Sequence, residues 1–204
     1  MRIEIPLYDG FDEVDAIGPF EVLGNAAIAV DDLEVELVGA HAAGEVVAAH
    51  GMRVVVSSVL SADADMVIVP GGGWRALRGS AQGTRREYED GRLPQRLAEL
   101  HAGGAVVASV CTGAMLLARA GLLDGRPATT HRAALGDLRD AGASVDEGAR
   151  VVDDGDILTC GGVTSGLDLA FHIVEREWGA ELAQSIATLM EITRQPARLT
   201  GARS

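Results

Sequence analysis

Short aliphatic runs alternate along the chain with longer stretches that are apolar on one side only. Runs of Val, Ile, Leu and Ala bounded by Gly, Pro or Asp are typical of strands buried within a sheet, whereas apolar positions at helical spacing predict amphipathic helices. The predicted strands are 2–8, 33–40, 65–70, 105–110 and 157–160, with a short extended piece at 128–130. The predicted helices are 11–25, 93–102, 114–120, 132–141, 164–178 and 181–193.

The positions of glycine, proline and arginine modify the predicted helices and strands. Gly18-Pro19 lies inside the first predicted helix and favours a kink or a late helix start there. Glycines between strand-like runs predict two hairpins, 45–49 with 52–57 and 150–153 with 157–160. The arginine-rich segment 74–89 has a loose pattern that indicates surface with a short helix, and the tail from 195 gives little signal.

The alternation of strands and helices, without repeats or a linker, predicts one domain over 1–204. We expect an α/β fold, a flavodoxin-like doubly wound sandwich whose mostly parallel sheet carries helices on both faces. In such a fold, ligands bind beyond the carboxyl ends of the strands.

The stretch 105–113 carries the strongest chemical signal. A buried strand stops at Cys111, and a helix begins almost at once, which is the pattern of a nucleophile elbow. A helix N-terminus behind Cys111 would favour the thiolate and predicts a thiol pKa below the ordinary value. The other reading of the local pattern is an inert cysteine buried in the core.

Glycines follow two further strands, in Gly71-Gly72-Gly73 and Cys160-Gly161-Gly162. Each glycine segment alone could be a tight turn. Cys111-Thr112 is a third strand end, and the three together predict a pocket where backbone N–H groups approach a ligand closely. Since no G-x-G-x-x-G motif follows the first strand, dinucleotide binding is disfavoured.

Composition excludes several classes of function. The formal net charge of −13 argues against nucleic acid or an anionic membrane surface as partner. The chain has no lysine, which excludes Schiff-base chemistry and a standard P-loop. Its two cysteines are too few for a disulfide framework or a cysteine zinc site, and the histidines show no ligand spacing. We therefore predict neither a metal nor a cofactor.

The polar N-terminus does not resemble a signal peptide, and no apolar run is long enough to span a bilayer. We expect a cytoplasmic protein.

Four motifs together resemble the ThiJ/PfpI superfamily over nearly the whole chain. They are Pro70-Gly71-Gly72, Ser109-Val110-Cys111-Thr112-Gly113, Ala128-Thr129-Thr130-His131, and the run from Gly161 to Asp168. Within the superfamily, Asp15-Ala16-Ile17-Gly18-Pro19 and Cys111-Thr112-Gly113 look like the isocyanide hydratase branch. The same segments are similar to the ligand-binding domain of AraC-type regulators, which append a helix-turn-helix domain.

The resemblance implies roles for particular residues. Cys111 would be the nucleophile, and Asp15 the acid that shares a proton with it or with the substrate. Thr112 would hydrogen-bond the reacting group, while the backbone N–H groups of Gly72 and Thr112 polarise it and Val163 packs beside the sulfur.

The remaining pocket residues implied by the resemblance are Gly71, Thr164, His131 and Cys160. His131 could act as a base, but we favour a structural or positioning role, because nothing in the elbow requires a histidine. Intracellular peptidases of the superfamily carry histidine directly after the cysteine. Thr112 stands there, so peptidase activity is disfavoured. Arg132 and Cys160 also depart from the hydratase pattern, which has an aromatic residue and glycine, and either could alter the substrate.

The chemistry supports an acid partner independently, because a thiolate that attacks a neutral carbon forms an adduct that needs a proton. The sequence thus predicts a cysteine-dependent hydratase that converts a small isocyanide-like molecule to an N-substituted formamide. Glyoxalase-type activity on 2-oxoaldehydes and a non-enzymatic redox or ligand sensor remain open. The superfamily also implies a homodimer, with the first helix and the hairpin as contact surfaces.

Overall fold

The computed structural model describes residues 1–75 and 82–194. The strands in these residues are β1 (Arg2–Leu7), β2 (Glu34–Gly39), β3 (Gly44–Val47), β4 (Arg53–Val56), β5 (Met66–Val69), β6 (Val106–Ser109), β7 (Pro127–Ala128), β8 (Ser144–Val145), β9 (Val151–Asp153) and β10 (Ile157–Cys160). The helices are α1 (Glu13–Ala29), α2 (Thr84–Asp90), α3 (Arg92–Ala102), α4 (Ala114–Arg119), α5 (Leu135–Asp140), α6 (Ser165–Trp178) and α7 (Ala180–Leu189). Short 3₁₀ turns span Cys111–Gly113 and Arg132–Ala134.

A six-stranded sheet in the order β2-β1-β5-β6-β10-β9 forms the centre of the fold. Its pairs are parallel except for β10 with β9, which are antiparallel. Strands β5 and β6 are almost wholly buried, as their continuous aliphatic runs predict. Helices α1, α6 and α7 pack together, and α2, α3, α4 and α5 form a second group. The predicted doubly wound α/β fold is confirmed.

The order of the sheet determines where chemistry can occur. Strands β5, β6 and β10 are neighbours and run in the same direction, so the segments after Val69, Ser109 and Cys160 meet at one edge. The convergence of three strand ends that the sequence predicts is therefore present. Among the described residues, no helix is both long enough and apolar enough to cross a membrane.

Several boundaries differ from the sequence prediction. Helix α1 begins at Glu13, so the late start expected at Gly18-Pro19 is wrong; Pro19 is buried inside the helix. Gly18 and Pro19 lie where α1 meets α6: a Cβ on Gly166 would stand 3.3 Å from Pro19 Cγ. The predicted helix 132–141 is a 3₁₀ turn followed by α5, and the last helix ends at Leu189 rather than 193.

The segment 74–89 is less superficial than its composition suggests. It does contain a short helix, α2, but Trp74 and Thr84 are buried, because both pack beside the strand ends. Residues 76–81 of this segment and the tail from 195 lie outside the described residues. The pairing of β7 with β8 was not predicted, because two-residue strands carry no periodicity.

Gly113 offers a test of the packing between β5 and the turn after β6. A Cβ at Gly113 would lie 2.2 Å from the carbonyl oxygen of Val69, a contact that only a backbone shift could relieve. Gly113→Ala should lower the free energy of unfolding by about 1–3 kcal/mol in urea titrations. Gly136→Ala on exposed α5, where a Cβ meets nothing, is the matched control and should stabilise by up to about 1 kcal/mol. Equal effects of the two substitutions would contradict this packing.

Candidate active site

Cys111 stands at a sharp turn between β6 and α4. Its backbone has φ +56°, a conformation uncommon for any residue other than glycine. The turn is held by two hydrogen bonds: the Cys111 N–H donates to the Gly161 carbonyl (3.0 Å), and Thr130 Oγ1 donates to the Cys111 carbonyl (2.7 Å). The predicted strand–turn–helix elbow is therefore present, with strain at the nucleophile candidate itself.

A second strained residue faces the first. Val163, between β10 and α6, has φ +48°, which is an outlier for a β-branched side chain. The backbone N–H groups of Val163 and Thr112 both hydrogen-bond the Cys111 sulfur, and both lower the pKa of the thiol. Two unusual turns thus direct N–H donors at one sulfur atom, whereas the Thr112 N–H was expected to polarise the reacting group of the substrate.

Asp15 completes the group from α1. Its side chain is fully buried; Oδ2 accepts a hydrogen bond from the Gly71 N–H (3.0 Å), while Oδ1 has no direct partner within the described residues. Gly71 has to be glycine here, since a Cβ would lie 2.6 Å from the Thr112 nitrogen and 3.0 Å from Asp15 Oδ2. The carboxyl group and the thiol are close enough to interact, which raises the pKa of Cys111 and lowers that of Asp15.

Burial nevertheless dominates the electrostatics of both groups. Loss of hydration, followed by the charge of Asp12, raises the pKa of Asp15 to about 7. Loss of hydration, followed by the charge of Asp15, raises the pKa of Cys111 to about 12. Between these values, the pair as a whole holds one proton.

The lowered thiol pKa predicted from the sequence is therefore wrong. The helix behind Cys111 is a short 3₁₀ turn followed by six residues of α4, and its favourable end does not outweigh burial beside a carboxylate. What the elbow supplies is a thiol with an adjacent proton acceptor rather than a free thiolate.

The Thr112 hydroxyl is bound to protein atoms instead of facing the thiol. It accepts from the Gly72 N–H (3.0 Å) and lies 3.3 Å from Thr84 Oγ1, which in turn lies 3.0 Å from the Tyr8 hydroxyl. Since Tyr8 donates its proton to the Pro70 carbonyl (2.6 Å), Thr84 must donate to Tyr8, and Thr112 to Thr84. This relay occupies both the Thr112 hydroxyl and the Gly72 N–H, two groups that were expected to contact the substrate.

A cavity of about 330 Å³ opens above Cys111. Of the residues predicted from the sequence, Cys111, Thr112, Gly72, His131 and Val163 line it. Gly73, from the glycine turn that predicted a pocket, also lines it, but the sequence analysis missed five further lining residues: Asp12, Trp74, Arg75, Ala133 and Ala134. It also missed Tyr8 and Thr84, since hydroxyls that join the site only through folding leave no local motif.

Three predicted pocket residues lie elsewhere. Gly71 is buried and donates its backbone N–H to Asp15 Oδ2. Cys160 is wholly buried at the end of β10, where burial raises the pKa of its thiol, so it does not line the cavity. Thr164 is exposed at the start of α6, and its hydroxyl accepts a long hydrogen bond from Arg150 (3.4 Å).

His131 forms part of the cavity wall, consistent with the structural role favoured from the sequence. Its Nδ1 accepts a hydrogen bond from the Ala133 N–H (3.1 Å), which places the proton of the neutral ring on Nε2. The Cδ2 edge of the ring abuts Gly162, where a Cβ would stand 2.3 Å from His131 Cδ2. In this position, His131 is a fixed hydrogen-bond donor.

An α/β fold with a cysteine on a strained turn beyond the sheet, paired with a buried carboxyl group, defines a class of proteins that carry their chemistry at a nucleophile elbow. Within this class, the chain belongs to the DJ-1/PfpI family, whose family model matches residues 1–176. The resemblance inferred from the sequence motifs is confirmed.

Individual relatives differ in what they do. The chain is 29% identical over 198 residues to isonitrile hydratase of Pseudomonas putida, which covers 96% of this chain and 80% of that protein. It is 30% identical over 142 residues to Protein DJ-1alpha of Drosophila melanogaster, covering 68% of this chain and 60% of the relative. A ThiJ/PfpI family protein from Pseudomonas syringae has a similar structure, with a TM-score of 0.82 and 26% identity over 96% of this chain and 76% of that one.

The interaction between Asp15 and Cys111 can be measured through thiol reactivity. Because the Asp15 carboxylate raises the pKa of Cys111, Asp15→Asn should lower that pKa and speed iodoacetamide labelling at pH 8 by at least about tenfold. The comparison is made in a Cys160→Ser background, so that one thiol reports.

Asp12→Asn is the control for this experiment. It removes a charge that acts on Asp15, yet it retains a side-chain oxygen that can cap α1 by accepting from Val14. Its labelling rate should stay close to that of the parent. An unchanged rate in Asp15→Asn would show that the carboxylate does not control the thiol, and a lower rate would show that Asp15 acts as a base rather than by raising the thiol pKa.

Proposed function

We propose that the protein is a cysteine-dependent hydratase that adds water to a small isocyanide-like molecule to give an N-substituted formamide. The observation that carries this proposal is the burial of the Asp15 carboxyl group beside the Cys111 thiol, where lost hydration raises the pKa of both groups and the pair keeps one proton. Such a pair can both attack a neutral carbon and deliver the proton that the adduct needs.

The reaction balances with this single proton and one water molecule. The sulfur attacks the terminal isocyanide carbon as the thiol proton passes to Asp15, and Asp15 delivers that proton to the same carbon, giving a thioimidate. Water then adds to the thioimidate carbon while the nitrogen is protonated. Collapse of this adduct breaks the carbon–sulfur bond, releases the formamide and returns one proton to the pair.

The rest of the site suits a neutral substrate. The cavity above Cys111 is lined in part by Val163, Ala133 and Ala134, which can contact a hydrocarbon substituent. The N–H groups of Thr112 and Val163 that now bond the sulfur can stabilise the thiolate when it leaves. The resemblance to isonitrile hydratase of Pseudomonas putida supports the same reaction.

Turnover of a simple alkyl isocyanide, followed by mass detection of the formamide, tests this proposal. Cys111→Ala should abolish turnover, and Asp15→Asn should lower kcat by about 10²–10⁴-fold, the usual contribution of general acid–base catalysis. Cys160→Ser should retain most of the activity, since Cys160 lies outside the cavity and exchanges no proton with the substrate. Full activity in Asp15→Asn would refute the assigned role.

A redox sensor is the second candidate, and one observation favours it: Asp15 Oδ1 lies buried without a direct partner in the described part of the chain, at the Cys111 thiol. A protonated carboxyl group there could hydrogen-bond the first oxidised form of the sulfur. If wild type consumes neither an isocyanide nor a 2-oxoaldehyde, while Asp15→Asn changes the products of peroxide oxidation, the hydratase assignment fails and the sensor stands. Conversion of the 2-oxoaldehyde alone, in which water adds, the aldehyde carbon is oxidised and the ketone carbon is reduced to give a 2-hydroxy acid, would instead indicate glyoxalase-type activity.

We further propose a homodimer. Large apolar side chains are exposed on the first helix and the hairpin: Ile28 on α1 is 85% exposed, and Val55 on β4 is 79% exposed. A two-stranded hairpin is stable only when it packs against another surface, so a partner subunit would stabilise both elements.

Light scattering at micromolar concentration should give about 42 kDa, twice the 21.1 kDa of one chain, and Val55→Asp should shift the mass toward that of one chain. A wild-type mass of 21.1 kDa would exclude this assembly.

A further inference from the structure

A second cavity, of about 470 Å³, lies on the far side of His131 from Cys111. The two cavities share His131 and Val163 in their walls, but Cys111 lines only the smaller one. The second cavity is built from the segment after β7, the turn before β9 and the turn that precedes α6. The proposed reaction does not use it.

Thr129 and Ser165 are largely buried residues whose hydroxyl groups have no hydrogen-bond partner in the described part of the chain. Thr129 is 1% exposed and Ser165 is 3% exposed. Thr129 forms a hydrogen bond through its backbone N–H, to Thr159 Oγ1, but neither hydroxyl has a hydrogen-bond partner within 1–75 and 82–194. Both oxygens are accessible from the cavity rather than sealed away from it, so both hydroxyls are free to donate to a molecule bound there.

The charges around the cavity favour an anion. Arg150 is paired with Asp168 (2.5 Å), and Glu147 is paired with Arg139, so these charges largely cancel. Arg132 is exposed at the rim and forms no ion pair with any described residue. Arg132 therefore gives this cavity a positive charge that no described carboxylate neutralises by an ion pair.

These groups also limit the chemical class of the ligand. Arg132, the hydroxyls of Thr129 and Ser165, and Nε2–H of His131 in the shared wall can all donate hydrogen bonds. A carboxylate accepts several such bonds and matches the guanidinium in charge and shape. A single guanidinium matches a single negative charge, and Leu135 and Ala149 can contact the hydrocarbon part of the ligand.

We propose that the second cavity binds a small organic monocarboxylate, with Arg132 supplying the positive charge and the hydroxyls of Thr129 and Ser165 donating to the bound molecule. This site is separate from the Cys111 cavity, and its occupancy does not depend on whether the protein is a hydratase or a sensor.

Calorimetric titration of the full chain tests the proposal, with acetate, isobutyrate and benzoate as probes and benzamide as the uncharged analogue of benzoate. At least one carboxylate should bind, and benzoate should bind at least about tenfold more tightly than benzamide. Arg132→Gln should weaken carboxylate binding by about tenfold or more, and Ser165→Ala by about fivefold, as expected for one charged and one neutral hydrogen bond.

Two control variants locate the binding. Arg53→Gln, on the hairpin and paired with Glu45, should bind the carboxylates as wild type does. Cys111→Ala should also retain full affinity, which separates failure of this site from failure of the proposed reaction. The proposal is overturned if no carboxylate binds at millimolar concentration, if benzamide binds as tightly as benzoate, or if Arg132→Gln binds like wild type.

Discussion

Two ionisable groups, the carboxyl of Asp15 and the thiol of Cys111, share a space from which water is nearly excluded. Removing both protons there would leave two neighbouring negative charges with little hydration, so the pair holds on to one proton well into the alkaline range. This constraint explains why the site relies on backbone donors. The N–H groups of Gly71, Thr112 and Val163 are the dipoles that offset part of the lost hydration.

The placement of those donors depends on backbone conformations that ordinary residues rarely adopt. Cys111 and Val163 both have positive φ, and each turn brings an N–H to the sulfur. Gly71 contributes by its lack of a side chain, because a Cβ there would displace Thr112 or Asp15. The sheet supplies the rigidity that such strain requires, as β5, β6 and β10 are hydrogen-bonded neighbours.

Much of the fold could be read from the sequence because its strands are continuous aliphatic runs and the glycines fall at their ends. Cys111 and Asp15 were identified by an elbow pattern and a family motif. The raised pKa of the Cys111 thiol was not predicted, since burial beside Asp15 is a tertiary property with no local pattern in the sequence. Thr84 and Trp74 were missed for the same reason: a polar, arginine-rich segment gives no sign that two of its residues pack beside the strand ends. Arg132 was noted in the sequence only because it departs from the hydratase pattern, and its place in the second cavity was not predicted.

Burial of Asp15 also links the site to the stability of the whole fold. Its pKa is about 7 in the folded chain and near 3.8 when the chain is unfolded, so the folded state binds more protons between these values. This one group therefore makes the free energy of unfolding fall as pH rises from about 4 to about 7, by up to about 4 kcal/mol in total. Above pH 7, the buried carboxylate is charged and lowers the free energy of unfolding. At mildly acidic pH, the group is protonated and this destabilisation is lost. The burial that places Asp15 beside the thiol thus makes the folded state most stable at pH values at which the Asp15 carboxyl group is protonated.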